Sequence, residues 1–171
     1  MQVQLLSSPP IYCIIRYMHY KLTDTVSWGN WTAPNETIGQ FNTIINVAHH
    51  FSPRRGRNVY WANLQNLPHT IYYYRIALRD RDDITPEYAN ALASAIDASR
   101  QSNKLPILTH CQMGGHRGPS AAMFTAWHLG GRKANEFETL HKRTLELFPR
   151  LENGSNYYHS TLDYCRSHSV K

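Results

Sequence analysis

Apolar residues follow two rhythms along this chain. Up to about position 78 they come in short dense runs rich in β-branched and aromatic side chains, a pattern that predicts strands. "IYCIIRYMHY" (11–20) is one such run. "VSWGNWTAPNE" (26–36) predicts a short strand, a turn and a short helix from about Pro34. "NTIINVAHH" (42–50) and "HTIYYYRIAL" (69–78) are further strands, separated by the basic loop "FSPRRGRNVY" (51–60). Tyr72, Tyr73 and Tyr74 alternate faces along a strand, so at least one is expected in the core.

The rhythm then changes to a helical spacing. Thr85 is a good N-cap, Pro86 suits the first helical position, and Glu87 suits the positive end of the helix. Tyr88, Leu92, Ala95, Ile96 and Ser99 recur on one face, and the helix is expected to end near Ser102–Asn103. "LPILTH" (105–110) is a short apolar strand. "GPSAAMFTAWHLGG" (118–131) reads as a helix closed by Gly130–Gly131. "NEFETLHKRTLELF" (135–148) and "SNYYHSTLDYCRSH" (155–168) read as two more helices. Strands alternating with helices, and then helices alone, predict an α/β domain with a central sheet and a helical C-terminal part.

Composition narrows the class. The 171 residues suit one domain with a real core, and 42% hydrophobic content excludes a disordered chain. A formal charge of +6 favours anionic partners, such as phosphorylated ligands, nucleic acid or acidic lipid heads. Cys13, Cys111 and Cys165 are three in number and lack zinc-site spacing, which favours a reducing compartment. The N-terminal stretch has no basic leader, and Pro9–Pro10 interrupt it, so neither a signal peptide nor a membrane span is expected. The triplets at Asn30, Asn35 and Asn153 then read as chance matches to a glycosylation pattern.

The candidate chemistry lies in "HCQMGGHR" (110–117), between a predicted strand end and a predicted helix start. Backbone N–H groups in such a loop can converge on an anion, and the helix N-terminus adds partial positive charge. Gly114 and Gly115 permit positive φ and close approach to a ligand. Arg117 can bind two phosphate oxygens at once through its planar fork. The same donors favour a charged sulfur at Cys111, so one cradle suits both a dianion and a thiolate nucleophile. Taken singly, a cysteine after an apolar strand is a small buried hydrophobe, and a glycine pair is a turn. Their order, with an arginine at the helix start, argues for the site.

"HCQMGGHR" matches H-C-x5-R, the signature of the cysteine-dependent protein tyrosine phosphatase superfamily, and Gly114 fits its glycine. The compact size resembles the dual-specificity group. "FNTIINVA" looks like that group's strand before the variable loop, and "YYRIALRD" like the strand entering its general-acid loop. The resemblance covers roughly Val26 to Trp127. It implies a central, mostly parallel sheet flanked by helices, within a single catalytic domain over residues 1–171. Cys111 would be the nucleophile, Arg117 would hold the phosphoryl group, and Asp80, 31 residues before Cys111, would be the general acid. Gln112, Met113, Gly114, Gly115 and His116 would line the phosphate site with Arg117. His110 would stand behind the loop, hydrogen-bonded so as to tune the thiolate. Neither a cofactor nor a metal is implied, because backbone donors and arginine supply the positive charge.

Some positions leave alternatives open. Asp82 and Asp83 rival Asp80 as the acid. Members of the family usually carry Ser or Thr directly after the arginine, where the hydroxyl assists the thiolate as it leaves. Here that residue is Gly118, with Ser120 two places on as a candidate substitute. His116 either adds charge at the pocket or is a neutral rim residue. His49–His50 lack ligand partners at metal spacing and belong rather to a variable loop with Arg54, Arg55 and Arg57. Cys13 and Cys165 read as structural, or as redox partners if near Cys111. The expected substrate is phosphotyrosine in proteins, with phosphoserine and phosphothreonine as extensions. The same mechanism on RNA 5′-triphosphate, phosphoinositide or inositol phosphate is the alternative, and a phosphoryl-binding module with impaired turnover is the second alternative. A phosphorylated protein or other phosphorylated anion is the expected partner, ahead of nucleic acid, in a cytoplasmic setting.

Overall fold

The computed structural model describes residues 19–37, 39–48, 70–79, 82–153 and 156–170. Five strands form one sheet in the order β1-β2-β5-β3-β4. They are β1 (His19–Lys21), β2 (Val26–Gly29), β3 (Thr43–Ala48), β4 (Tyr72–Leu78) and β5 (Ile107–His110). Only β1 runs antiparallel to its neighbour; β2, β5, β3 and β4 are mutually parallel. The sheet is thus mostly parallel, as expected. Of the run at 11–20, only the end that enters β1 falls within the described residues.

Burial explains which runs became which strands. Every residue of β2, β3 and β5 is buried, as befits continuous apolar strands covered on both faces. Parity separates two cores. Ile45, Val47 and Ile107 point into the main core, whereas the paired Ile44 and Leu108 join a smaller cluster with Ala33 and Phe41. Strand β4 lies at the sheet edge and is nowhere fully buried. None of its three tyrosines is therefore a true core residue, which corrects the expectation. Tyr73 and Tyr74 pack half-buried on the smaller and main cores, and Tyr72 is exposed.

Among the described residues the helices are α1 (Ala33–Glu36), α2 (Pro86–Gln101), α3 (Arg117–Leu129), α4 (Ala134–Leu147) and α5 (Asn156–Ser167), with a 3-10 turn at Pro149–Asn153. Helix α2 starts where its capping chemistry predicts: the Thr85 hydroxyl accepts the Tyr88 N–H at 3.2 Å. Its buried face holds all five residues expected there, plus Ala89. Helix α3 is buried continuously from Arg117 to Trp127, so it is the central helix of the main core. Among the described residues, no helix is long and apolar enough to cross a membrane.

Candidate active site

Parallel strands end on a common edge, and ligands of open α/β sheets bind there. Four parallel strands end at this edge, and among the described residues the turn after β2, the loop 111–117 after β5 and the start of the segment after β4 lie there. Since β5 is the middle strand, its loop lies between the others.

The loop is held by its own backbone. The Gly114 N–H donates to Cys111 Sγ at 3.2 Å, across the turn. Gly114 has φ of 72°, and a Cβ there would fall 2.9 Å from the Asn30 nitrogen and 3.1 Å from the Gly29 carbonyl carbon. Only glycine meets both demands. The Trp31 N–H donates to the Gln112 carbonyl at 3.2 Å, so the turn after β2 braces the loop from one side. The Thr109 hydroxyl donates to the Gly118 carbonyl at 2.9 Å and ties the strand end to the helix start. Phe148 packs beneath Gly115 and edge-on against Tyr20, which in turn stacks on Trp28.

Cys111 is buried at the base of this loop, and Arg117 is buried as the first residue of α3. Gln112, Gly115 and His116 are half-exposed, and Met113 is open at the rim. The Arg117 guanidinium donates through Nη1 to the Leu78 carbonyl at 2.9 Å. It thereby joins the loop 111–117 to the end of β4, just before the acidic segment. Asp80 lies outside the described residues, as do His49, His50, Arg54, Arg55, Arg57 and Cys13. Asp82 and Asp83 are exposed.

Two expectations about supporting residues change. His110 does sit behind the loop, fully enclosed, but neither ring nitrogen makes a hydrogen bond among the described residues. Burial drives its pKa down to about 4, against an opposing pull from the Cys111 backbone. The imidazole is therefore neutral. Ser120 does not face the sulfur either: its hydroxyl donates back to the His116 carbonyl at 2.8 Å. Gly118 is what lies beside Cys111, since a Cβ there would come 3.5 Å from Sγ. Cys165 is a buried thiol in α5, pushed well up by burial, and is not bonded to Cys111.

Other residues at the site had no signal in the sequence. Tyr88 on α2 and Tyr157 on α5 are buried with their hydroxyls 3.1 Å apart. Burial raises both hydroxyl pKa values, and both groups feel the charges of Cys111 and Arg117. The partners are 69 residues apart, so helical spacing shows each only as core. A separate cleft of about 440 Å3, lined by Thr23, Thr25, Leu129 and Leu140 among others, opens at the far end of α3 and contains none of these groups.

No protein-family model matches the chain, and no curated protein sequence matches it. Solved structures do. Tk-PTP in its active form superposes with a TM-score of 0.61 at 10% identity, over 88% of this chain and 97% of that one. Human DUSP28 gives 0.62 at 12% identity, over 88% and 94%. OH1 from the Orf virus, a tyrosine phosphatase with triple substrate specificity, gives 0.52 at 23% identity, over 86% and 83%. A Cys–x5–Arg loop at the carboxyl edge of this sheet, and these superpositions over most of each chain, lead to one statement: the protein has the fold of the cysteine-dependent tyrosine and dual-specificity phosphatases.

Proposed function

We propose that the protein is a cysteine-dependent phosphomonoesterase acting on phosphotyrosine in proteins, with phosphoserine and phosphothreonine as further substrates. The observation that carries this reading is the hydrogen bond from the Gly114 N–H to Cys111 Sγ, in a loop that ends on buried Arg117. A backbone donor aimed at the sulfur holds it at the base of the loop, and an arginine at the same helix start suits the phosphoryl oxygens.

In this reading Cys111 Sγ attacks phosphorus and the ester P–O bond breaks. The general acid, Asp80, protonates the departing oxygen. Water then attacks phosphorus, Asp80 takes the proton, and the S–P bond breaks to return the thiolate and inorganic phosphate. Arg117 and the backbone of residues 112–116 hold the phosphoryl oxygens through both steps. The single domain spans residues 1–171, and the thiol nucleophile suits a cytoplasmic, reducing setting.

Rates on phosphotyrosine peptide, phosphothreonine peptide, a phosphoinositide and triphosphorylated RNA, compared side by side, test the substrate class. Phosphotyrosine peptide should be fastest, and Cys111→Ser should lower that rate roughly a thousandfold or more while inorganic phosphate still binds. Preference for RNA or phosphoinositide would replace the protein substrate while keeping the mechanism. Equal rates in wild type and Cys111→Ser would end the reading.

A further inference from the structure

The segment between β4 and α2 holds every candidate acid: Asp80, Asp82 and Asp83. Its start is fixed by the Arg117 bond to the Leu78 carbonyl. Its end is fixed from a different part of the molecule. The Ile84 N–H donates to Ser160 Oγ on α5 at 2.9 Å, across 76 residues of sequence. The Ser160 hydroxyl donates its own proton to the Tyr157 carbonyl at 3.2 Å, so its lone pairs face Ile84. Ile84 is buried, and the residue after it is the N-cap of α2. The same helix α5 brings Tyr157 to Tyr88, beside the nucleophile's loop.

The geometry points to Ser160 as a positioning residue for the general acid. It holds the exit of the acid segment in register with the site, and so couples the C-terminal helix to leaving-group protonation. This assignment rests on the phosphomonoesterase reading above. The Ser160 hydroxyl bonds to the Ile84 N–H and the Tyr157 carbonyl and not to the loop 111–117, so its removal should leave phosphoryl binding alone. Loss of the Ser160 oxygen leaves a buried N–H at Ile84 without this acceptor, and the segment shifts to find another.

The test compares phenyl phosphate, whose leaving group needs a proton, with 4-nitrophenyl phosphate, whose leaving group hardly does. Ser160→Ala should lower kcat on phenyl phosphate about five- to tenfold and on 4-nitrophenyl phosphate by less than about twofold. Inhibition by inorganic phosphate should stay within about twofold of wild type, since that reports the loop alone. Ser160→Thr, which keeps the hydroxyl, should restore the phenyl phosphate rate. Alanine favours helix, so α5 should persist. If Ser160→Ala does not fold, Ser160→Cys, of similar size and a weak acceptor, must show the same split. Equal losses on both substrates, or none on either, would overturn the assignment while leaving the enzyme reading intact. A wild-type protein that hydrolyses neither substrate would instead overturn the reading itself, and this assignment with it.

Discussion

Of the connections that leave the carboxyl edge of the sheet, the loop after central β5 and the segment after edge strand β4 are held in different ways. The first is closed by its own backbone, with the Gly114 N–H on Cys111 Sγ, and is braced by the Trp31 N–H on the Gln112 carbonyl. The second is bracketed by two side chains from remote elements, Arg117 at Leu78 and Ser160 at Ile84. The loop 111–117 closes on itself, whereas the described ends of the segment after β4 are held by side chains from outside it. That difference predicts where substitutions act on chemistry and where they act on structure.

The largest effect should come from the acid. Asp80→Asn is expected to lower kcat on phenyl phosphate about a hundredfold, and on 4-nitrophenyl phosphate far less. The same comparison run on Asp82→Asn and Asp83→Asn should show no such split. If Asp83→Asn shows it, the acid sits at the segment's exit, closer to the Ser160 clamp.

This contrast also explains what could be read from the sequence. The loop was legible because its constraints are local: the glycine needed at 114 and the arginine needed at the helix start lie within six residues of Cys111. Helix α2 was legible for the same reason, since Thr85 and Pro86 carry its start. The acid was not reduced to one residue, because Leu78 and Ile84 are held from positions 117 and 160, and no spacing rule records that. His110 was misread in part: a histidine beside Cys111 suggests a hydrogen bond, but enclosure with no hydrogen-bond partner among the described residues is a tertiary outcome. Ser120 was a reasonable substitute hydroxyl by proximity, but two residues along a helix turn a side chain by about 200°, and its hydroxyl is committed to His116.

Next in size is a test of the rigid loop. Gly114→Ala forces a Cβ onto the Asn30 nitrogen in a left-handed backbone. It should cost about 1–3 kcal/mol of stability and at least roughly tenfold in kcat/KM on both aryl phosphates alike. Chemical denaturation and steady-state rates measure the two. Losses confined to phenyl phosphate would contradict the division of roles.

A smaller effect is expected at Gly118. A serine there would sit beside Cys111 Sγ, with its Cβ 3.5 Å from the sulfur and 3.3 Å from the Gly29 carbonyl oxygen. The fit is tight but the φ of Gly118 is ordinary, so a shift of a few tenths of an ångström admits it. A hydroxyl donor to the departing thiolate should raise kcat by up to about tenfold, if breakdown of the phosphocysteine limits turnover. Wild type should then show a pre-steady-state burst that Gly118→Ser diminishes. No burst in either protein would mean that breakdown is not slow.

The smallest concerns pH. His110 has a folded pKa of about 4 against an ordinary 6.5. Between these values the unfolded chain binds a proton that the folded chain does not, so stability falls as pH drops from 6.5 towards 4. The loss is at most about 3 kcal/mol, part of it complete by pH 5. His141, also lowered by burial, adds a change of the same sign. His110→Gln should therefore show a shallower fall in urea midpoint between pH 7 and pH 5 than wild type. Identical slopes would show that His110 is not the group responsible.

The central claim is that Cys111 carries the phosphoryl group between the two steps. Rapid acid quench of the enzyme during turnover of 4-nitrophenyl phosphate, followed by peptide mass spectrometry, addresses it directly. A phosphoryl adduct on the peptide containing Cys111, absent from Cys111→Ser treated in the same way, is the predicted result. Full turnover with an adduct on another residue, or undiminished turnover in Cys111→Ser, would contradict it.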